Sequence, residues 1–263
     1  TALKCCIYAD NRIFYIKFIE NLRMKLGLND EYDIQCGYEA GCLGYSLYNQ
    51  LTAAGVKCVI LAPTTMLTPQ GVRIKTDMRD AYMIAQCLSY GGYHAVYIPT
   101  EADDSVKEYL RMRNDHKLAL KKIKQQINAF CIRHGFCYDG TKWTLAHLNW
   151  LKKLEITNEL YRETLDEYMA SYEEQEAKIE RYDKRIEEIA EQTKYYDKVK
   201  KLKCFLGIKT HTALSLIVEN GDFERFAKGN QYASYLGLAP GENSSSDSIH
   251  RLGITKAGNS HLG

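Results

Sequence analysis

The chain has 263 residues and a formal net charge of +2, from 35 Lys and Arg against 33 Asp and Glu, so its bulk charge selects no partner. That length holds one large or two modest domains with a real core. Neither a secretory leader nor an apolar stretch of membrane-spanning length is read in it, which sets the expectation of a cytoplasmic protein with no membrane partner. Nine cysteines without a C-x-x-C pair or ligand spacing read as small buried apolar side chains in a reducing compartment.

Residues 14–26 put Phe14, Phe18, Ile19, Leu22 and Leu26 at helical spacing and stop at Gly27. Residues 34–38 read as a strand and 41–54 as a helix closed by Gly55. Residues 56–61, almost wholly apolar, read as a strand buried on both faces and broken at Pro63. Thr76 is placed to cap a helix over 77–88, Gly91 and Gly92 follow it, and 94–98 is a further strand ended by Pro99. Strands alternating with helices predict an α/β domain over 1–102 with a mostly parallel sheet, in which ligands gather where strands end.

From residue 103 the strand signals stop. Residues 103–134 read as one long helix interrupted at Gly135, and 158–192 as a second. Within the second, Tyr172, Ile179, Tyr182, Ile186 and Ile189 recur at spacings of seven, three, four and three. Two packings answer that pattern: an antiparallel hairpin of the chain on itself, and an intermolecular coiled coil. Bases outnumber acids over 107–153 and acids dominate over 155–197. That balance suits a nucleic-acid face beside a partner-facing helix, and equally two ordinary solvated faces. Lys117, Lys121 and Lys124 are the candidate phosphate contacts on the basic helix. A small, mostly α segment, 201–263, follows the helical segment 103–200. It begins with helix, tight turn at Gly207, helix, which resembles a helix-hairpin-helix module except that Lys209 stands where such modules carry a second glycine.

Two places carry chemistry. Asp77 and Asp80, within Lys75-Thr76-Asp77-Met78-Arg79-Asp80-Ala81, share one face at the start of a helix, and Glu39 ends the 34–38 run. Three oxygen donors converging on one point would hold a hard divalent cation, Mg²⁺ or Mn²⁺, of the kind used to cleave and rejoin phosphodiesters. The same Asp-x-x-Asp also serves as plain compensation of the helix dipole. Near the other end, Ser244, Ser245 and Ser246 lie in a Gly- and Asn-rich loop followed by His250, Arg251 and Lys256. Serine loops are common connectors, while basic side chains just downstream suit a serine attacking a phosphate.

The order of motifs is Gly37-Tyr38-Glu39-Ala40-Gly41, the Lys75 to Ala81 run, a helical middle and Gly207-Ile208. Then come Leu236-Gly237-Leu238-Ala239-Pro240, the serine cluster and Gly253-Ile254-Thr255-Lys256-Ala257-Gly258-Asn259. Along essentially its whole length the chain resembles the insertion-sequence transposases that pair a RuvC-like (RNase H-like) four-carboxylate domain with a C-terminal serine-bearing transposase domain. The resemblance implies a DNA recombinase acting on donor and target DNA, guided by a structured RNA that the element encodes, and assembled as a homo-oligomer of two or four subunits. It implies a metal held by carboxylates, of which Glu39, Asp77 and Asp80 match three. It also implies a serine that links covalently to DNA, matched by Ser244 with Ser245 as second choice, and nucleic-acid contacts at Lys75, Arg79, Lys209, His250, Arg251 and Lys256. Location at the bacterial nucleoid follows.

Three departures set further expectations. Nothing before Glu39 matches the family's first carboxylate, and Asp10, beside a helix start, reads as a turn or cap, so the opening strand is expected to be missing. Ser246 stands where relatives often carry glycine, and the end at Gly263 precedes a basic helix of the family. Two rival readings therefore stand beside the recombinase: a RuvC-like nuclease that hydrolyses junctions with water, and a non-catalytic nucleic-acid-binding remnant.

Overall fold

The computed structural model of the chain describes residues 12–27, 34–41, 44–66, 76–242, 251–256, 258–259 and 261–262. Asp10, Lys75, Ser244, Ser245, Ser246 and His250 lie outside them. The chain divides into two compact units, Thr1–Ile98 and Pro99–Gly263.

In the first unit, helix α1 (Arg12–Leu26) stops at Gly27, whose φ of 59° suits a residue without Cβ. Strand β1 (Gln35–Glu39), helix α2 (Ser46–Ala53), strand β2 (Lys57–Leu61) and helix α3 (Asp77–Tyr90) follow. β1 and β2 pair in parallel, Gln35 opposite Lys57 and Glu39 opposite Leu61. The apolar run in β2 is buried only at its end, with Ile60 at 2% and Leu61 at 0% exposure; Cys58 and Val59 are half-buried and Lys57 is exposed. Leu61, Met66 and Cys87 form a small core with Met83, Ile84, Leu88 and Tyr93 around it. Gly37 is closely covered: a Cβ there would lie 2.9 Å from terminal methyl groups of both Leu61 and Leu88, which would have to shift. The strand expected over 94–98 is reduced to one antiparallel bridge, Ala95 with Leu61, supported by the Val96 amide donating to the Ile60 carbonyl at 2.8 Å. Among the described residues this is an α/β arrangement with a two-stranded parallel sheet, short of the larger sheet that a RuvC-like domain implies.

The second unit is helical. Helix α4 (Glu101–Arg133) is followed by α5 (Leu145–Lys152), α6 (Glu159–Ala190), α7 (Tyr196–Leu202), α8 (Thr210–Asn220) and α9 (Gly229–Tyr235). A short antiparallel ribbon of β3 (Pro240–Glu242) and β4 (Arg251–Ile254) ends it. The starts are set by side-chain caps: the Thr100 hydroxyl accepts from the Asp103 amide (3.2 Å), Thr144 from His147 (3.3 Å) and the Asn158 carbonyl from Tyr161 (3.2 Å). α4 and α6 run antiparallel, because contacts climb one helix as they descend the other. Arg113 meets Asp183, His116 meets Tyr182, Lys124 meets Glu176, and Phe130 faces Tyr168 and Tyr161.

The heptad stripe of α6 is consumed by this hairpin. Tyr172 and Ile179 are buried in one core with Leu120, Ile127, Phe130, Leu151 and Leu165. Ile186 and Ile189 are buried in a second, with Leu110, Tyr195, Val199, Ala213, Leu214 and Val218. Each fully buried side chain of this size contributes about 1.5–3 kcal/mol relative to exposure, so the stripe is satisfied within the chain. The second core joins α4 and α6 to α7 and α8, so the segments 103–200 and 201–263 share packing. Between the two cores lies a polar belt: Arg113 grips Asp183 through two hydrogen bonds (2.7 and 2.9 Å), and His116 bonds Gln175 at 2.8 Å and Tyr182 at 3.4 Å.

Of the cysteines described, Cys87 and Cys131 are buried, Cys36 and Cys58 half-buried, and Cys137 and Cys204 exposed, so the buried reading holds for only part of them. Among the described residues no helix is long and apolar enough to cross a membrane.

Candidate functional site

The two regions picked out by sequence fold in different ways. Asp77 and Asp80 both sit in the first turn of α3, whose N-cap Thr76 accepts a long hydrogen bond from the Arg79 amide at 3.4 Å. Gly91, at φ 68°, closes the helix. Glu39 is the exposed last residue of β1. Between α3 and β1 the tight contact is Leu88 over Gly37, in the last turns of the helix. At 1.5 Å per residue, Asp77 and Asp80 stand roughly 16 and 12 Å along the axis from that contact. Asp77 and Asp80 thus share one helical turn, while Glu39 stands on a separate element. Among the described residues no three His, Cys, Asp or Glu side chains form a group able to hold a metal ion. As oxygen donors the three suit Mg²⁺ or Mn²⁺; as arranged, they are no cage for it.

The C-terminal region is knit together. α8 ends in Glu219 and Asn220, the former with a side chain only 6% exposed and the latter fully buried. Arg111 of α4 reaches across with a two-pronged hydrogen bond to Glu219, Nε to Oε1 at 2.8 Å and Nη2 to Oε2 at 2.9 Å. Tyr235, the last residue of α9, donates its hydroxyl to the Glu219 carbonyl at 2.9 Å, and Asn220 donates its amide to the Tyr232 hydroxyl at 2.9 Å. After β4 the chain returns to the same place. The Asn259 side-chain amide donates to Glu219 Oε2 at 3.0 Å and to the Tyr235 hydroxyl at 3.3 Å, and its backbone N–H donates to the Tyr235 carbonyl at 2.9 Å. Burial alone pushes the Glu219 carboxyl up. The hydrogen bonds from Arg111 and Asn259 and the Arg111 charge outweigh it and hold the group below its ordinary range.

Backbone contacts complete the knot. Gly237 takes φ 72°, and a Cβ on Gly258 would run into the backbone of Gly237, Leu236 and Tyr235. Lys256, exposed and at φ 52° despite being a lysine, donates its N–H to the Gly237 carbonyl at 3.0 Å. The ribbon pairs Pro240 with Ile254 and Glu242 with Arg251, and the serine cluster falls in the connection between its strands.

A scan against family models places residues 199–262 in the Transposase IS116/IS110/IS902 family. Over 223 residues, 83% of this chain and 63% of the relative, the sequence is 36% identical to the transposase for insertion sequence element IS1533 of Leptospira borgpetersenii. Over 226 residues, 86% of this chain and 55% of the relative, it is 33% identical to the protein y4qE of Sinorhizobium fredii. It is 26% identical over 215 residues, 75% of this chain and 56% of the relative, to the transposase for insertion sequence element IS1111A of Coxiella burnetii. The chain carries the segment of the IS116/IS110/IS902 family of insertion-sequence transposases over residues 199–262. It spans less than two thirds of the length of these relatives.

Within the family segment, Gly207 makes the turn between α7 and α8 at φ 88°, whereas Lys209 is the extended N-cap of α8 at φ −97°, so only the first of the two positions needs a glycine. Lys209 is exposed. Ahead of the segment, the basic stretch divides. Lys117 and Lys121 are exposed. Lys124 bonds Glu176 at 3.2 Å and lies 5.3 Å from the rings of Trp143 and Tyr172. Arg111 and Arg113 pair with Glu219 and Asp183, and Lys107, 4% exposed, pairs with Asp104 at 2.8 Å. Part of the basic stretch is thus the internal electrostatics of the helical unit, while Lys117 and Lys121 remain at the surface. Sequence reasoning missed Glu219, Asn259 and Arg111 as a group, because they lie far apart in the chain. The one local signal was Gly258-Asn259, read as part of a motif and not as a contact.

Proposed function

We propose that this chain is a DNA transposase of its insertion sequence, cutting and rejoining donor and target DNA through a phosphoserine intermediate, with Ser244, or Ser245 beside it, as nucleophile. The observation that carries the reading is the family segment 199–262, which encloses the serine cluster between β3 and β4. The serine Oγ attacks phosphorus; a P–O bond to serine forms as the bridging P–O bond breaks, and the departing strand keeps a hydroxyl. The serine proton must leave, since an alcohol is a poor nucleophile until a base takes it. Attack by another strand's hydroxyl reverses the exchange, so the number of phosphoester bonds is conserved and no external energy source is needed. His250, Arg251 and Lys256, just beyond the loop, are the cations available to the charge that develops on the phosphate. A divalent cation, Mg²⁺ or Mn²⁺, would supply charge neutralisation at the phosphate; of the carboxylates expected to hold it, Asp77 and Asp80 are the two that share one helical turn. Exposed Lys117 and Lys121, with Lys75, Arg79 and Lys209, would follow nucleic-acid backbone and make binding salt-dependent. From the resemblance, the remaining partners are an element-encoded structured RNA and further copies of the chain.

The test is capture of a covalent protein–DNA adduct after denaturing lysis of cells carrying the element on a donor plasmid. Wild-type protein should be trapped and a Ser244→Ala, Ser245→Ala double variant should not. An adduct that persists in the double variant refutes the nucleophile. Free 5′-phosphate ends with no adduct at any time would favour the hydrolytic nuclease.

A further inference from the structure

The Glu219 knot ties together four parts of the second unit that meet nowhere else in sequence: α4 through Arg111, α8 through Glu219, α9 through Tyr235, and the segment after β4 through Asn259. Its chemistry is specific. Asn259 presents N–H groups to a carboxylate oxygen and to a phenol oxygen, and only the NH₂ side of the amide can serve both. Tyr235 is thereby used as donor to the Glu219 carbonyl and acceptor from Asn259. Glu219 itself receives three hydrogen bonds on its carboxylate, two from Arg111 and one from Asn259. A fold that only needed apolar closure here would not require a buried anion matched this closely. Asn259 lies five residues beyond β4, and the intervening Thr255 and Lys256 bond back to Ala239 and Gly237, directly before β3. The knot therefore grips both feet of the ribbon.

We propose that Glu219 and Asn259, backed by Arg111, are positioning residues that fix the base of the β3–β4 ribbon against α8 and α9, and so set the geometry in which the serine segment meets phosphate. They do not touch DNA in this account. The proposal rests on the reading above that this segment carries the nucleophile.

The experiment uses the protein as its element encodes it, expressed with a donor plasmid that carries the element and its flanks. Two quantities are read from each culture: covalent adduct after denaturing lysis, and total DNA occupancy after reversible cross-linking. Asn259→Asp sets a carboxylate against the Glu219 carboxylate. It should lower adduct per occupied protein about 100-fold, as misplacement by about 1 Å does, with occupancy unchanged. Adding Glu219→Gln to it restores a donor opposite an acceptor, and most of the adduct should return. Because this also restores the net charge, it is the unchanged occupancy of the Asn259→Asp variant that separates misplacement from an electrostatic loss of DNA affinity, and a fall in occupancy matching the fall in adduct overturns the clamp. Glu219→Gln alone keeps an acceptor for Asn259 but weakens the Arg111 grip, and should reduce the ratio about tenfold. If Asn259→Asp does not accumulate, this milder variant carries the test, and a wild-type ratio overturns the clamp. Wild-type adduct levels in Asn259→Asp, or a double variant no better than the single, also overturn it while leaving the nucleophile untouched. Absence of any adduct in the wild-type protein sinks the nucleophile reading and takes the clamp with it.

Discussion

The start of α3 and the end of α8 both present acidic side chains, and they treat them in opposite ways. Asp77 is exposed in a first helical turn, next to amides and a dipole that favour negative charge in any helix. Glu219 lies in a last turn, where the dipole opposes a negative charge, and it is nearly sealed from water. An acid in the wrong place for the helix has to be held by something else, and Arg111, Asn259 and Tyr235 converge there. The lesson is that cost locates function or architecture more sharply than spacing does. A favourable placement explains itself.

That contrast can be broken at several points. The largest effect is expected from Gly258→Ala, where a methyl group would collide with backbone atoms of residues 235–237 that cannot step aside. A loss of about 3 kcal/mol or more is expected in thermal unfolding. Gly253→Ala, with nothing within 4 Å of its new Cβ, should change stability by only about 0.5 kcal/mol. Arg111→Ala comes next, because it strands a buried carboxylate, with an expected cost of about 3 kcal/mol at neutral pH. The pH dependence follows from the lowered Glu219 value. Its contribution is full above the ordinary 4.5 and is lost as pH falls through the depressed folded value. Denaturant midpoints of wild type and Arg111→Ala should therefore converge on acidification below about 4.5. Asp77→Asn should cost only about 0.3–1 kcal/mol of stability. Under the proposed function the same change should nonetheless abolish the covalent adduct. A large stability loss with adduct retained would reverse the comparison and make Asp77 architectural.

Much of the framework was legible because local rules and tertiary packing agree. Thr76 and Gly91 bracket α3, the apolar β2 run is buried at its end, and the Gly207 turn separates two helices, as local rules lead one to expect. The choice between self-packing and intermolecular coiled coil was not legible, since a stripe at heptad spacing does not say whose residues cover it. Arg113 with Asp183 and the two cores decide in favour of the chain's own α4. α5 was overlooked although Thr144 caps it and Leu145, Leu148 and Leu151 recur every third residue, because a helix of eight residues barely exceeds a turn signal. The ribbon was overlooked because its strands, three and four residues long, carry no alternation to read. At the carboxylates the reverse holds. The spacing of Asp77 and Asp80 is real, but nothing in a linear sequence says that α3 touches β1 at Leu88 over Gly37.

The polar belt of Arg113, Asp183, His116, Gln175 and Tyr182 has a bearing on how the long α4–α6 arm responds to load. Apolar layers on either side cannot slide past it without separating paired groups, among them the largely buried Arg113 from the partly exposed Asp183. A pull at the α5 end should thus spend itself there, with the α7–α8 end left intact, and the arm would yield in two separate steps. Such an arm is a stiff lever with a built-in stop.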